Sequence, residues 1–194
     1  MAFDGILKNI ARHADLTAGE QDLFCSVLQV KNLKKKELLF KPGKICQQEA
    51  YINKGCLRTF FCDKNGAQNT FYFGIEDWWI SDLLSRTFKV PSQYHVEAIE
   101  DAQVFLINDE DLENLMMRIP KLEHFYRKLF QYSVATFEQR LLEAHQLSAE
   151  ERYRKFRDKY PEFDRRIPQK HIASYLGMTP EFFNTIRSKV LKAH

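Results

Sequence analysis

The sequence predicts an α+β chain in which an antiparallel β-roll with flanking helices is followed by one long helix and a small all-α domain. Three observations predict it. Between Lys36 and Ile107 the apolar pattern has a period of two, is broken by frequent turns and shows no helical stretch between strands. From Lys121 to about Leu147 it becomes that of one amphipathic helix, and from Gln169 to Lys189 two short helical patterns flank Gly177.

Taken in order, Thr17 and Glu20 form a capping box that opens a helix to about Leu28, with Leu23, Phe24, Val27 and Leu28 as its apolar stripe. Leu38 and Phe40 begin the strands. A turn at Pro42-Gly43 precedes Tyr51-Ile52, which runs into Asn53-Lys54-Gly55. Leu57 to Cys62 and Gln68 to Phe73 read as a hairpin closed by Asp63-Lys64-Asn65-Gly66, because Asn-Gly supplies the left-handed residues of a tight turn. Tyr94 to Ile99 and Gln103 to Ile107 are expected to form a second strand pair turning at Glu100-Asp101. Short strands with so many turns suit a jelly roll.

Asn108 with Asp111 is expected to cap a helix carrying Leu112, Leu115, Met116 and Ile119, closed by Pro120. The long helix that follows has two apolar stripes: Leu122, Phe125, Leu129, Tyr132, and Tyr126, Phe130, Val134, Phe137, Leu141, Ala144. A helix apolar on two sides needs two partners, and the roll covers one. The other stripe is expected to meet the same helix of a second subunit, with burial against the chain's own C-terminal helices as the alternative. Ser148 and Glu151 form another capping box, starting a helix that stops before Pro161, and Glu162 to Pro168 reads as a polar connector. The boundaries expected are residues 1–120 for the roll with its N-terminal helices, 121–147 for the dimerisation helix and 148–194 for the last domain, hinged at Gln146 to Ser148.

Composition narrows the function. Net charge is +3, but from Ser148 onward eleven Lys and Arg face six Asp and Glu, while the preceding residues hold eighteen against twenty. A basic end on a slightly acidic body suits a module that contacts phosphates. No apolar run reaches the roughly 18 to 20 residues of a membrane span, and the start lacks a secretory signal, so the expected location is the cytoplasm, with no membrane partner. Cys25, Cys46, Cys56 and Cys62 lack metal-ligand spacing and are expected to be reduced, mostly buried thiols. Of six histidines only His95 lies among the strands, which argues against a cupin-like metalloenzyme. No catalytic residue, no metal and no cofactor are expected.

In the last domain Ile172, Ala173 and Leu176 face inward, Gly177 permits a left-handed turn, Thr179 caps a second helix at Pro180, and Phe183 and Ile186 supply its inward face. That is a helix-turn-helix, with a plain pair of packed helices as the alternative. Its partner would be double-stranded DNA, entered through the major groove. Candidate contacts are Gln169, Thr179, Glu181, Asn184, Thr185, Arg187, Ser188 and Lys189. Among them Arg187 and Lys189 suit phosphates, Asn184 suits adenine and Glu181 suits cytosine.

The order of parts resembles the Crp/Fnr superfamily of bacterial transcription regulators. The residues that carry the resemblance are Phe137-Glu138-Gln139-Arg140-Leu141-Leu142 with Leu147-Ser148-Ala149-Glu150-Glu151-Arg152, Ile172-Ala173-Ser174-Tyr175-Leu176-Gly177 with Thr179-Pro180-Glu181, and Glu97-Ala98-Ile99-Glu100-Asp101. The resemblance implies a cyclic-nucleotide-binding-type roll that senses an effector, a homodimer on an inverted repeat, and RNA polymerase as a candidate partner. Two departures stand out. The chain stops at His194, so the β-hairpin wing usual in the family is expected to be missing. The family's phosphate cassette pairs Gly-Glu with an Arg before a small hydroxyl residue, whereas here Ser81-Asp82 stands for Gly-Glu, Ser92 for the Arg and Gln93 for the small residue. Arg86 and Lys89 are placed on a loop nearby, where they either substitute for that Arg or are solvated, and Trp78 and Trp79 either line the pocket or fill it. The ligand-binding candidates are therefore Trp79, Ser81, Asp82, Ser92 and Gln93, for an unidentified small-molecule effector other than cyclic AMP. The alternative function is a ligand-binding or protein-interaction module that has lost sequence-specific DNA binding.

Overall fold

A computed structural model describes residues 3–192. Helices α1 (Asp4–Ala11) and α2 (Ala18–Ser26) come first. The expected capping box is formed: Glu20 N–H donates to Thr17 Oγ1 at 3.4 Å, and Thr17 N–H donates to Glu20 Oε2 at 2.7 Å. The eight strands that follow among the described residues are β1 (Gln29–Leu33), β2 (Leu38–Phe40), β3 (Gln48–Lys54), β4 (Leu57–Cys62), β5 (Gln68–Gly74), β6 (Trp79–Ile80), β7 (His95–Ala98) and β8 (Ala102–Asn108). They form two four-stranded sheets, ordered β1-β8-β3-β6 and β2-β7-β4-β5.

Three features of the roll differ from expectation. The strands β7 and β8 are not a pair: β7 joins β2 in one sheet, while β8 lies between β1 and β3 in the other. Strand β1, which the sequence reading missed, takes the place beside β8 that β7 was expected to hold. Glu100-Asp101 is thus a corner between sheets, held where Asp101 accepts from Lys35 N–H and Lys34 Nζ, both at 2.9 Å. Helix α3 (Leu83–Phe88) also interrupts the strands, with Asp82 as its N-cap.

The roll's first sheet is covered by helices. After it come α4 (Asp109–Arg118) and α5 (Lys121–Gln146). The expected cap of α4 is replaced by side-chain bonds: Asn108 donates to Asp111 Oδ2 at 3.0 Å and accepts from Gln48 Nε2 at 2.7 Å, and makes no bond to the helix backbone. The acidic first turn, Asp109, Glu110 and Asp111, favours the helix dipole instead. The core joins Ile6, Ile10 and Phe24 to Tyr51 and Phe105 of the sheet, to Leu112 and Leu115 of α4, and to Leu122, Phe125 and Tyr126 of α5. Both stripes of α5 therefore enter one core over its first turns, and Leu129 and Phe130 still lean on it. Beyond them Val134, Phe137, Leu141 and Leu142 are exposed.

The chain divides into two compact units. One holds the residues up to Thr59 and Phe73–Tyr132; the other holds Phe60–Tyr72 and the residues from Ser133 onward. In the second unit α6 (Ala149–Lys159) starts at the expected Ser148–Glu151 capping box. The polar connector is instead a short helix, α7 (Phe163–Arg166), because Phe163 and Ile167 are buried and pull it onto the domain core. Helices α8 (Gln169–Tyr175) and α9 (Pro180–Lys192) complete it. Tyr153, Phe156, Ile172, Ala173, Phe183 and Val190 form its centre.

Gly55 holds the β3–β4 turn at φ +96°, and a Cβ there would sit 2.7 Å from Ala102 Cβ and 2.8 Å from Asp101 O. Gly66, at φ +80°, has nothing within 4 Å of the corresponding point. Gly66→Ala is expected to cost only left-handed strain, about 1–2 kcal/mol. Gly55→Ala adds a backbone collision and should lose clearly more in denaturant melts; equal losses would mean that the corner relaxes freely.

Candidate nucleic-acid interface

The turn between α8 and α9 is built from backbone bonds. Gly177 adopts φ +70°, Gly177 N–H donates to Ser174 O at 3.1 Å, and Met178 N–H reaches back to Ala173 O at 2.9 Å. This pair of bonds satisfies the carbonyls at the end of α8, and the buried Met178 seals the motif. Thr179 then accepts from Phe182 N–H at 3.2 Å, and Pro180, which has no N–H to leave unpaired, opens α9. Phe183 and Val190 are fully buried and Ile186 half-buried, so the orientation of α9 is set by its apolar side.

Its other side is open. Glu181, Asn184, Thr185, Ser188 and Lys189 are exposed, and a shallow concavity is lined by Asn184, Thr185, Ser188, Lys189 and Lys192. Thr179 and Gln169 are exposed at the helix starts. Lys189 Nζ lies 2.6 Å from Glu150 Oε2, and the Glu150 carboxyl is held below the usual carboxylate range by hydrogen bonds from Lys189 and then Arg154. Thr185 spends its hydroxyl proton on Glu181 O at 3.2 Å. Arg187 differs from the outward placement expected of it: it is half-buried, with an enclosed Nε that has no acceptor. It sits near Tyr153, whose hydroxyl is pushed up to about 12, by burial first and then by donation to Asp164 Oδ2 at 2.9 Å.

Sequence reasoning missed the other side of α8. Ser174 Oγ accepts from Thr70 N–H at 2.8 Å and donates to Gln68 O at 3.1 Å, so the edge of the β4–β5 hairpin is bonded to this helix within the second unit. Arg140 donates to Phe71 O and to Tyr175 O, and its guanidinium stacks 4.0 Å from the Tyr175 ring. Burial lowers its pKa below the ordinary guanidinium value. Ser174 and Tyr175 are hence committed to protein. Nothing in local sequence pairs a hairpin with a helix a hundred residues later.

The five ligand-binding candidates occupy different settings. Trp79 lies among the rings of Tyr51, Phe125 and Tyr126, at 5.4 to 5.9 Å, and donates from Nε1 to Asn9 Oδ1 at 2.9 Å, so it fills the core beneath the helices. Asp82 is buried; one oxygen accepts from Ser85 N–H at 3.0 Å and the other is enclosed without a hydrogen bond. Ser92 is buried in a local turn with Tyr94, while Gln93 is exposed. Tyr94 titrates above its usual range because of burial and then the charge of Asp82. Ser81 Oγ accepts from Arg86 at 3.2 Å.

Arg86 is not on a loop. It belongs to α3, its side chain is only 10% exposed, and it pairs with Asp109 at 2.7 Å and Glu49 at 3.3 Å. A cleft of about 710 Å³ opens beside it, lined in part by Leu83, Lys89, Glu113 and Met116. A second buried cation, Arg58 on β4, is paired with Glu97 at 2.7 Å.

No protein-family model matches the sequence, and no curated protein matches it. Solved structures do. A protein assigned to the Crp/Fnr family of transcriptional regulators, from Eubacterium rectale, is 19% identical over 92% of this chain and 85% of that one, with a TM-score of 0.70. The chain has a Crp/Fnr-like fold. FixK2 from Bradyrhizobium japonicum is 20% identical over 86% of each chain (TM-score 0.69), and the catabolite activator protein of Thermus thermophilus is 19% identical over 99% of this chain and 87% of that one (TM-score 0.56). No helix among the described residues is long and apolar enough to cross a membrane.

The Arg86 network yields a pH-dependent expectation. Burial raises the Glu49 pKa above its ordinary 4.5, and Arg86 opposes that rise. Between the unfolded and the higher folded pKa the native state binds more protons than the unfolded chain, so stability falls as pH rises through that window. Arg86→Met removes the opposing charge and widens the window upward. It should cost about 3–5 kcal/mol near pH 8, because a buried carboxylate is left unpaired, and less near pH 5. A pH-independent loss in urea melts would show that Glu49 is not the group responsible.

Proposed function

We propose that this chain is a DNA-binding transcription regulator of the Crp/Fnr type, a homodimer that recognises an inverted repeat. The observation that carries the reading is the capped α8–α9 motif, which buries one side of α9 and leaves the other open, polar and basic towards its end. In this reading residues 148–194 are the DNA-binding domain, 121–147 the dimerisation helix and 1–120 the effector-sensing roll. Glu181, Asn184 and Thr185 face base edges, with Asn184 suited to adenine and Glu181 to cytosine. Gln169, Thr179, Ser188 and Lys189 contact the backbone, and Arg187 supports the helix from its half-buried position. Lys189 must exchange Glu150 for a phosphate.

The dimer is supported by α5, whose second half exposes Val134, Phe137, Leu141 and Leu142 along one helix. A two-fold dimer would present recognition helices about one DNA turn, roughly 34 Å, apart. Selection from random duplexes, read by gel shift, should return an inverted repeat with half-sites at that spacing. Asn184→Ala should change the preferred sequence, and Phe137→Glu should lower both mass in light scattering and affinity for the full repeat. Sequence-indifferent binding by the wild type would overturn the reading.

The effector is a small molecule other than cyclic AMP. Between Ser81 and Gln93 the sole arginine is Arg86, and its guanidinium is already engaged by Glu49 and Asp109. A cyclic phosphate bound beside Asp82 and Ser92 would lack the charge-assisted pair that such ligands need. Two such bonds, at about 1.5–3 kcal/mol each, correspond to two or more orders of magnitude in affinity. Calorimetric titration with cyclic AMP should show no binding in the low micromolar range; heats that fit such a constant would restore cyclic AMP as the effector.

A further inference from the structure

Two adjacent phenylalanines in the first turn of α9 have opposite fates. Phe183 is fully buried and meets Tyr153 edge to face, with ring centroids 5.0 Å apart. Phe182 is 49% exposed, and its ring meets no other aromatic ring among the described residues. Its place is fixed by the N–H it donates to Thr179 Oγ1, which makes it the third residue of the helix. At about 100° per residue it stands at the border of the open face, in line with Thr185 one turn on and Lys189 two turns on. About half of this side chain stays open to solvent, and phenylalanine is a poorer helix former than alanine, so helix formation alone does not account for it.

Side chains at the start of a recognition helix are those that reach base edges. The major groove offers them one apolar feature, the 5-methyl group of thymine. We propose that Phe182 is a specificity residue that packs its ring against the 5-methyl group of a thymine in each half-site. The proposal rests on the DNA-binding reading above and adds to it a base and an atom. It also assigns the face a division of labour: Glu181 and Asn184 read by hydrogen bonds, Phe182 reads by exclusion of water from a methyl group, and Lys189 holds the backbone beside them.

Deoxyuridine tests this directly, since it keeps the hydrogen-bonding edges of thymine and lacks only the methyl. On the selected duplex, with each thymine replaced in turn, one position per half-site should weaken wild-type binding about four-fold, the effect of one buried methyl group. With Phe182→Ala, affinity for the thymine duplex should fall at least as far, and the thymine-to-uracil penalty should vanish at that position. Phe182→Leu should retain part of the penalty. Light-scattering mass should match the wild type in both variants and melting temperature should fall only slightly, as for a half-covered ring; a changed mass or a large loss of stability would assign Phe182 to an interface or to the fold and overturn the proposal. So would a duplex in which no uracil replacement matters, or a penalty that persists in Phe182→Ala. If selection returns no specific site at all, the DNA reading itself fails and this inference goes with it, whereas a specific site indifferent to uracil removes only the inference.

Discussion

A long helix curves only gently unless its backbone ladder is interrupted, and α5 contributes residues to both compact units of this chain. Its first turns are held by Leu122, Phe125 and Tyr126 in the core under the roll, together with Trp79 and Phe105. Its later turns supply Arg140, which ties the second unit together. At about 1.5 Å per residue its 26 residues span roughly 39 Å, far beyond what one small core can cover. The apolar side chains past Tyr132 follow from that length.

Inside the roll the polar groups are organised by pairing. Arg86 draws Glu49 of β3 and Asp109 of α4 together, and Arg58 does the same with Glu97 across the second sheet. Such buried pairs add little net stability over apolar residues of the same shape, but losing one partner leaves a costly unpaired charge. They therefore constrain which elements sit side by side more than they strengthen the fold. Asp82 departs from this pattern, as do Thr59 and the Tyr126 hydroxyl: one of its buried oxygens has no hydrogen bond among the described residues, and an unpaired acceptor in that position is expensive unless something else meets it.

The second unit joins parts far apart in the chain. Ser174 bridges Thr70 N–H and Gln68 O, so a strand edge that would otherwise expose unpaired backbone is satisfied by one hydroxyl. Arg140 adds a stacked guanidinium on Tyr175. One outcome is that α8 presents its start and α9 presents its polar side, while the hydroxyl of Ser174 and the carbonyl of Tyr175 are withdrawn from other partners.

What the sequence by itself determined is what depends on neighbours within about four residues. The capping boxes at Thr17 and Ser148, the hairpin turn at Asn65-Gly66, the extent of α5 and the Gly177 turn with its Thr179 cap were all legible, because each is a local hydrogen-bond or backbone requirement met by a particular residue type. Tertiary structure decided everything that needed a distant partner. β1 was invisible because Gln29–Leu33 has little alternation until β8 lies beside it, and the same event separated β7 from β8. α7 read as a connector because two apolar anchors among charged residues mean little until a core receives them. Arg86 read as a loop residue and Arg187 as an outward phosphate contact because charge alone reveals neither the carboxylates that meet the first nor the packing that half-buries the second.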